Sequence, residues 1–263
     1  MGANGNIRKM RTVFGEQIQY SIRFSDSVDM NSFIGKDISL EWNGIINCSK
    51  CSKVTKKSFG EGFCYNCFIS APEAAECIIR PELCRAHLGE GRDPEWEEKH
   101  HNKPHVVYLA ASSAIKVGIT RLDQVPTRWI DQGASAAIII AETPNRYEAG
   151  RIEVALKDLY TDKTNWRKML KNEVDETIDL AEEKWSLEEQ LPGDILDYFS
   201  DHDEVTELNY PVLEFPEKVA SQSFDKTPLI EGKLLGIKGQ YLLLDQNRVL
   251  NIRKHTGYYV EIK

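Results

Sequence analysis

The sequence predicts an α+β protein, because strand patterns near both ends enclose a central region with helical periodicity. Polar and apolar side chains alternate, or short apolar runs end at turn residues, at residues 17–24, 38–42, 229–237, 240–244 and 248–252. In the central region Ile152, Leu156 and Leu159 recur at spacings of four and three, which is typical of one face of a helix. We therefore expect several small sheets and a few helices.

Shifts in composition divide the chain of 263 residues into five predicted segments. They are an N-terminal β segment (7–47), a zinc-binding region (48–104), a central module (105–171), an acidic helical segment (172–207) and a C-terminal β domain (208–263). In the first segment Asn43-Gly44 predicts a hairpin turn just before the first cysteines.

Four cysteines in two pairs give the strongest motif. Cys48/Cys51 and Cys64/Cys67 each leave two residues between the thiols, a spacing that lets two such turns close a tetrahedral zinc shell. Two disulfides are the competing interpretation, but no secretory leader pattern accompanies them. We expect a zinc ribbon with a structural role.

A second set of metal-ligand residue types follows within 29 residues. Cys77, Cys84, His101 and His105 together offer two thiolates and two imidazoles, which is a normal zinc shell. His87 or His100 is an alternative for either histidine. The competing interpretation is buried structural cysteines beside surface histidines. We predict a second zinc ion, because so long a segment with little apolar content needs a metal crosslink to hold one structure.

The central module has a clear order of elements. Residues 106–110 and 114–120 predict two strands, and residues 126–132 predict a short helix that Gly133 ends. Residues 136–141 predict a third strand, and Asn145 is a good N-cap for the next helix. We expect a small antiparallel sheet with helices after its second and third strands.

This module resembles the GIY-YIG nuclease superfamily over about residues 105–168. The matching stretches are His105–Ala110, Ile115–Arg121, Pro126–Gln132 and the helix that carries Glu153. Together, the cysteine ribbon and this module also resemble an uncharacterised bacterial family, a domain of unknown function.

The resemblance assigns roles to four residues. Tyr108 matches a tyrosine that orients the attacking water, Arg128 an arginine that holds the scissile phosphate, and Glu153 a glutamate that holds Mg²⁺ or Mn²⁺. Lys116 occupies the position of the second motif tyrosine, and a lysine contacts phosphate but is a poor general base at its ordinary pKa.

Each role has a structural alternative. Tyr108 could equally be an aromatic residue of the core, and the motif glycine Gly118 could mark a strand bulge. Arg128 could form an ion pair with Asp131 or Asp123. Glu148 competes with Glu153 for the metal role but is explained as part of a helix cap.

The net charge of −8 is unevenly distributed. Residues 172–207 carry 14 acidic side chains and one basic, whereas residues 100–171 carry 11 basic and seven acidic. Val174, Ile178, Ala181 and Trp185 predict a buried stripe on the acidic helix, whose charged face is a solvated surface or a docking site for a protein partner. A nucleic-acid mimic is a third interpretation of this helix. The acidic total therefore does not exclude nucleic acid as a partner of the central module.

The C-terminal strands predict a small barrel-like domain, SH3-like or OB-like, which strands from residues 11–46 could complete. The candidates there for stacking and phosphate contacts are Tyr241, Arg248, Arg253, Lys254 and Tyr258.

These patterns predict a cytoplasmic, zinc-containing protein that binds DNA or RNA. A metal-dependent endonuclease is one form of this hypothesis, and a catalytically inactive scaffold for nucleic-acid binding or protein assembly is the other. No apolar run reaches the ~20 residues that a membrane span needs, so we expect no membrane association.

Overall fold

The computed structural model describes residues 2–157, 159–160, 165–175, 177–188 and 190–263. Its strands are β1 (Ala3–Asn6), β2 (Arg11–Val13), β3 (Gln19–Arg23), β4 (Ser27–Asp29), β5 (Asp37–Ile46), β6 (His105–Ala111), β7 (Ile115–Arg121), β8 (Ala136–Thr143), β9 (Thr206–Glu207), β10 (Ala220–Gln222), β11 (Leu229–Lys238), β12 (Tyr241–Leu244), β13 (Arg248–Asn251) and β14 (Tyr258–Ile262). Its α-helices are α1 (Tyr65–Ser70), α2 (Pro94–His100), α3 (Thr127–Gln132), α4 (Arg146–Leu156), α5 (Trp166–Leu170), α6 (Leu180–Glu188) and α7 (Gly193–Leu196). The mixed content confirms the α+β class.

The chain forms two compact units. Unit 1 contains Met1–Ile69, Ile130–Gly133 and Asn209–Lys263, and unit 2 contains Ser70–Trp129 and Ala134–Leu208. The N-terminal and C-terminal β segments of the sequence thus belong to the same unit.

Unit 1 is built on a seven-stranded sheet in the order β1-β14-β5-β11-β12-β13-β10, and β2-β3-β4 form a separate three-stranded sheet. Its core includes Ile38, Leu40, Leu234, Val260 and Ile262, which are at most 2% exposed. The first half of β11 pairs with β5 and its second half pairs with β12, so one long strand serves two partners.

The predicted C-terminal barrel is an open sheet. Its outer strands are β1 and β10, and no closed barrel is found among the residues that the structure describes. Of the strands from residues 11–46 expected to complete a barrel, only β5 joins this sheet, and β1, which lies before that range, joins it as well. Strands β11 and β14 near the C-terminus therefore find hydrogen-bonded partners in strands from the start of the chain.

Asn43-Gly44 does not form the predicted hairpin. Strand β5 runs through both residues, and its pairing with β14 shifts register between Tyr258 and Val260. Gly44 has a φ of 87°, and the Trp42 Nε1–H donates to the carbonyl of Ile45 at 2.9 Å. The positive φ of Gly44, which would also suit a turn, here accompanies a bulge inside a long strand.

Unit 2 is built on a four-stranded antiparallel sheet in the order β7-β6-β8-β9. Val107, Leu109 and their cross-strand neighbours face α4 and α6 in one apolar cluster, which also contains Ile152, Leu156 and Leu180. The strand–strand–helix–strand–helix order of residues 105–156 agrees with the sequence prediction. Leu159, predicted on the same stripe, is 48% exposed.

The acidic segment buries part of the predicted stripe. Ile178 and Ala181 pack against the core of unit 2, whereas Trp185 is 39% exposed. The buried residues of α6 are Leu180, Lys184 and Leu187. Lys184 lies in the buried stripe because its apolar stem packs while its Nζ donates to the His202 carbonyl at 2.5 Å. None of the helices in the described residues combines the length and the apolar composition that a membrane span requires.

Candidate functional site

Cys48, Cys51, Cys64 and Cys67, the four-cysteine group, lie together as their spacing predicts. Their sulfur atoms all lie within 4.8 Å of one another, and none of the four forms a disulfide. The Cys51 and Cys64 sulfurs are 3.9 Å apart. A tetrahedral zinc–thiolate shell has sulfur–sulfur edges of about 3.8 Å, which follows from its bond length of about 2.3 Å. The geometry of this group is therefore compatible with zinc.

Backbone hydrogen bonds favour the thiolate form of Cys48 in this group. The Cys64 N–H donates to the Cys48 sulfur at 3.2 Å. Burial acts to raise the pKa of the Cys48 thiol. Hydrogen bonds from backbone N–H groups, of which that of Cys51 has the largest effect and that of Cys64 the next, outweigh burial and lower this pKa to about 6. The thiolate is the form that binds a metal, so the fold favours the ligand state of Cys48.

Two glycines shape the loop before the second pair. Gly60 and Gly62 have φ values of 53° and 92°, a region that side chains rarely occupy. A Cβ at Gly62 would also lie 2.6 Å from the Thr256 methyl group. These positions explain why glycine flanks the second cysteine pair.

A second cluster of ligand atoms lies in unit 2. It consists of Cys77, Cys84, Glu97 and His101, the mixed group, and all four residues are buried with ligand atoms within 4.8 Å of one another. Cys77 and Cys84 each lie at a short 3₁₀ turn, and Glu97 and His101 lie at the end of α2. The donor set of two sulfurs, one nitrogen and one oxygen is compatible with zinc.

The mixed group differs from the predicted ligand set in its fourth member. The structure brings Cys77, Cys84 and His101 together, but Glu97 completes the group and His105 does not belong to it. His105 is buried, and its Nδ1 bonds to the Lys103 carbonyl at 2.7 Å.

Neither alternative histidine belongs to the mixed group. The ring of His87 stacks on Tyr147 with centroids 4.6 Å apart, and that of His100 stacks on Trp96 at 4.1 Å.

The two thiols of the mixed group share a proton. A hydrogen bond from Cys77 lowers the pKa of Cys84 to about 4, against the opposing effect of burial and with a further contribution from His101. The same interaction raises the pKa of Cys77. This hydrogen bond favours the thiolate of Cys84, which is the form that binds a metal.

Tyr108 of the central module lies on β6, an inner strand of the sheet of unit 2. Tyr108 is fully buried in β6, directly opposite Gly118 in β7, and its ring packs edge-on against Trp129 at 5.8 Å. A Cβ at Gly118 would lie 2.7 Å from the Tyr108 hydroxyl, so the glycine makes room for this ring. Lys116 lies two residues from Gly118 and so projects from the same side of the sheet.

Arg128 and Glu153 are connected through Arg146, which the sequence analysis did not single out. Burial lowers the pKa of the Arg146 guanidinium, and the positive charge of Arg128 lowers it further. The opposite effect, a raised pKa, comes from the Cys77 and Cys84 thiols and the Glu153 carboxylate. Arg146 and Glu153 are seven residues apart on α4, which places them on one helix face. The three side chains therefore share one electrostatic environment.

The predicted ion-pair partners of Arg128 have other partners. Asp123 pairs with Arg121 at 2.9 Å, and Asp131 pairs with Lys9 at 2.8 Å. No ion pair of Arg128 is found within the described ranges of the chain. The structural alternative proposed for this arginine is thus not the arrangement observed.

Glu148 belongs to the cap region of α4. Its N–H donates to the Asn145 side chain at 3.1 Å, which confirms Asn145 as the N-cap. Its carboxylate pairs with Arg151 at 2.8 Å.

Two C-terminal arginines that were candidates for nucleic-acid contact are paired within unit 1. Arg248 pairs with Asp245, and Arg253 pairs with Glu61. The Tyr258 hydroxyl donates to Asp225 at 2.8 Å.

A family model described as a protein of unknown function, DUF2797, matches residues 35–260. The chain belongs to the DUF2797 family. The match spans both metal-ligand groups and the central module, residues 105–171, of this DUF2797 chain. Neither the comparison with curated proteins nor that with solved structures found a match.

Proposed function

We propose that this protein binds the phosphate backbone of a nucleic acid through its GIY-YIG-like module, with zinc in the four-cysteine group as a structural support. The observation that carries the proposal is the position of Arg128, a cation without an ion pair among the described residues, in the same environment as Arg146 and Glu153. The positive charge of Arg128 disfavours the charged form of Arg146, and a phosphate bound at Arg128 would offset that repulsion.

The charge distribution supports the same partner. Residues 100–171 carry an excess of four positive charges within an acidic chain. Arginine matches phosphate with several donors in a fixed plane, whereas carboxylate-rich segments repel nucleic acid. The module is thus the part of the chain best suited to a polyanion.

Salt dependence tests the binding. We expect labelled DNA or RNA to bind with a log affinity that falls linearly with log salt, and the Arg128→Gln variant to bind more weakly with a slope smaller by about 0.7 to 0.9, the contribution of one phosphate contact. Fluorescence anisotropy at four or more salt concentrations gives both quantities for single and double strands.

Arg80→Gln is the matched control. Arg80 is an exposed arginine of the same unit that pairs with Glu76 at 3.1 Å and Glu82 at 3.2 Å, so its replacement should leave the slope unchanged. Absence of binding at every salt concentration, or equal effects of both variants, would contradict the proposal and favour a role in protein assembly.

A metal-dependent endonuclease is the second candidate function. Glu153 lies near the two arginines, and a carboxylate beside phosphate-binding cations is a typical Mg²⁺ or Mn²⁺ ligand. In this form of the proposal Lys116 and Arg128 hold the phosphate and Glu153 holds the metal ion, whereas the fully buried Tyr108, matched to the tyrosine that orients water, supports the site from inside the sheet. Glu153 acts on the metal ion, so its loss lowers cleavage more than binding.

Cleavage of labelled strands with Mg²⁺ or Mn²⁺, and with a chelator, tests this candidate. We expect Glu153→Gln to reduce the cleavage rate at least about 100-fold while binding persists, because the amide is a poor ligand for a hard cation. Glu148→Gln on the same helix is the control and should retain activity. If wild-type protein binds but never cleaves, the enzyme hypothesis fails and the binding proposal stands.

A further inference from the structure

We infer that the mixed group is a second zinc site, in which Glu97 and the Nδ1 of His101 complete the shell of Cys77 and Cys84. Arg146 is not a ligand of this site, but it binds the backbone of the ligand residues and balances their charge. The inference concerns a metal centre in unit 2 and does not depend on the proposed binding of nucleic acid.

The burial of the group requires a compensating charge. The Glu97 and His101 side chains are each 3% exposed, and both cysteines are buried. Glu97 is paired with His101 at 2.9 Å, whereas buried thiolates are costly unless they coordinate a metal. When both cysteines are deprotonated, two thiolates and a carboxylate carry three negative charges, and a divalent cation neutralises most of them.

The distances fit a tetrahedral shell. The Cys77 sulfur lies 3.9 Å from the His101 Nδ1, and the Glu97 Oε2 lies 2.9 Å from the same nitrogen. A zinc shell of sulfur, nitrogen and oxygen ligands has edges of about 3.3 to 3.8 Å. The two observed distances bracket this range, so shifts of a few tenths of an ångström would seat the ion.

The surrounding loop has only a small apolar core of its own. The local core around the two cysteines consists of the small residues Ala75 and Ala86, with Tyr147 packed against it. Four short 3₁₀ turns between Pro72 and Leu88 make only local backbone hydrogen bonds, such as that from the Cys84 N–H to the Pro81 carbonyl at 2.9 Å, and no strand or long helix runs through this stretch. A segment with this composition needs a covalent or metal crosslink to adopt one structure.

Helix α2 explains why Glu97 is a ligand. Residues four apart lie on the same face of a helix, so Glu97 and His101 point to one place. Asp93 starts this helix by accepting a hydrogen bond from the Trp96 N–H at 3.1 Å, which fixes its orientation. The other Glu97 oxygen accepts from the Arg92 N–H at 3.1 Å and so orients the carboxylate.

His105 is the competing fourth ligand. Its Nδ1 donates to a carbonyl, so Nε2 carries the lone pair, and this buried atom has no hydrogen-bond partner in the structure as described. That arrangement is typical of a metal-binding histidine. The position of Nε2 outside the mixed group is what assigns the fourth place to Glu97.

Arg146 balances the charge that remains. Zinc with two thiolates and one carboxylate has a net charge of −1. The Arg146 guanidinium donates to the carbonyls of Cys77 at 3.0 Å and Ile78 at 2.9 Å, and the Arg146 N–H donates to the carbonyl of His101. The arginine that neighbours Arg128 and Glu153 is thus held by the backbone of two proposed zinc ligands.

Zinc analysis of variants is the first test. We expect two zinc ions per wild-type chain, in accord with the two groups. In chelator competition Glu97→Gln should weaken one site by more than about 100-fold, since even the loss of an outer-shell partner costs 10- to 100-fold. The control His105→Gln should keep both ions. One zinc per wild-type chain, or retention of both ions in Glu97→Gln, would overturn the inference.

Wild-type protein provides a second test that does not depend on how the variants fold. In nitrogen-labelled protein loaded with cadmium, coupling to the metal splits the resonance of each ligating ring nitrogen. We expect splitting at the Nδ1 of His101 and none at the Nε2 of His105. Splitting at His105, or at neither histidine, would overturn the assignment.

Discussion

Replacing Cys64 with serine should remove one zinc ion from each chain and unfold the segment that the four-cysteine group holds together. Cys64 contributes its sulfur to the group and its N–H to the Cys48 sulfur. In zinc-finger peptides the bound metal contributes about 10 to 16 kcal/mol at pH 7, which exceeds the stability of most whole domains. Metal analysis after gel filtration measures the loss.

The segment has no core that would survive without the ion. Phe63 is its main buried apolar residue outside the ligands, and its other aromatic contacts are at the surface, where Phe59 stacks on Phe68 at 5.9 Å. The large sheet of unit 1 has its own core. We therefore expect limited proteolysis of the Cys64→Ser variant to cut first within residues 48–69, with the strands of unit 1 cut later.

Ser49→Ala is the matched control for this experiment. The Ser49 hydroxyl donates to the Glu61 carbonyl at 3.1 Å within the same loop and is not a metal ligand, so this variant should keep its zinc. A Cys64→Ser variant with a full complement of zinc would contradict the prediction. Sensitivity of the wild type to reductant, with no response to chelator, would instead support the disulfide interpretation.

The features that the sequence predicted well depend on neighbouring residues. The cysteine spacing, the N-cap at Asn145 and the helix end at Gly133 each involve contacts within a few positions. Strand β6 and strand β7 were predicted to within one residue because their apolar pattern and the turn between them are also local. Such features need no knowledge of the rest of the chain.

The errors concern contacts between distant residues. Asn43-Gly44 has the local pattern of a turn, but β5 finds partners in β11 and β14, about 200 positions later in the chain, and continues through it. The acidic helix was assigned a buried Trp185, yet Lys184 is buried because the His202 carbonyl is available to it. In both cases a tertiary partner decided the outcome.

Glu97 shows what a residue-type search misses. Carboxylates are so common that the sequence analysis considered only cysteine and histidine as ligands for the second site. The signal that identifies Glu97 is its spacing of four from His101 on a short helix that begins at Asp93-Pro94. Spacing on a predicted helix therefore adds carboxylates to the candidate metal ligands that a search for cysteine and histidine leaves out.

Replacing Gly150 with alanine should destabilise unit 2 by at least about 3 kcal/mol, although alanine is the better helix former by about 1 kcal/mol. An ideal Cβ at Gly150 would lie 2.4 Å from the Glu82 nitrogen and 2.5 Å from the Pro81 carbonyl carbon. Both are backbone atoms of the turn that precedes Cys84, so no side-chain rotation relieves the overlap. Denaturant unfolding at pH 7 measures the loss.

Gly193→Ala gives the control, because a Cβ there meets nothing within 4 Å and Gly193 is the first residue of a helix. This variant should be neutral or more stable by up to about 1 kcal/mol. Equal stability of the two variants would mean that the turn and α4 can separate at no cost. A loss confined to Gly150→Ala, accompanied by weaker zinc binding at the mixed group, would show that α4 and the turn carrying Cys84 hold each other in place.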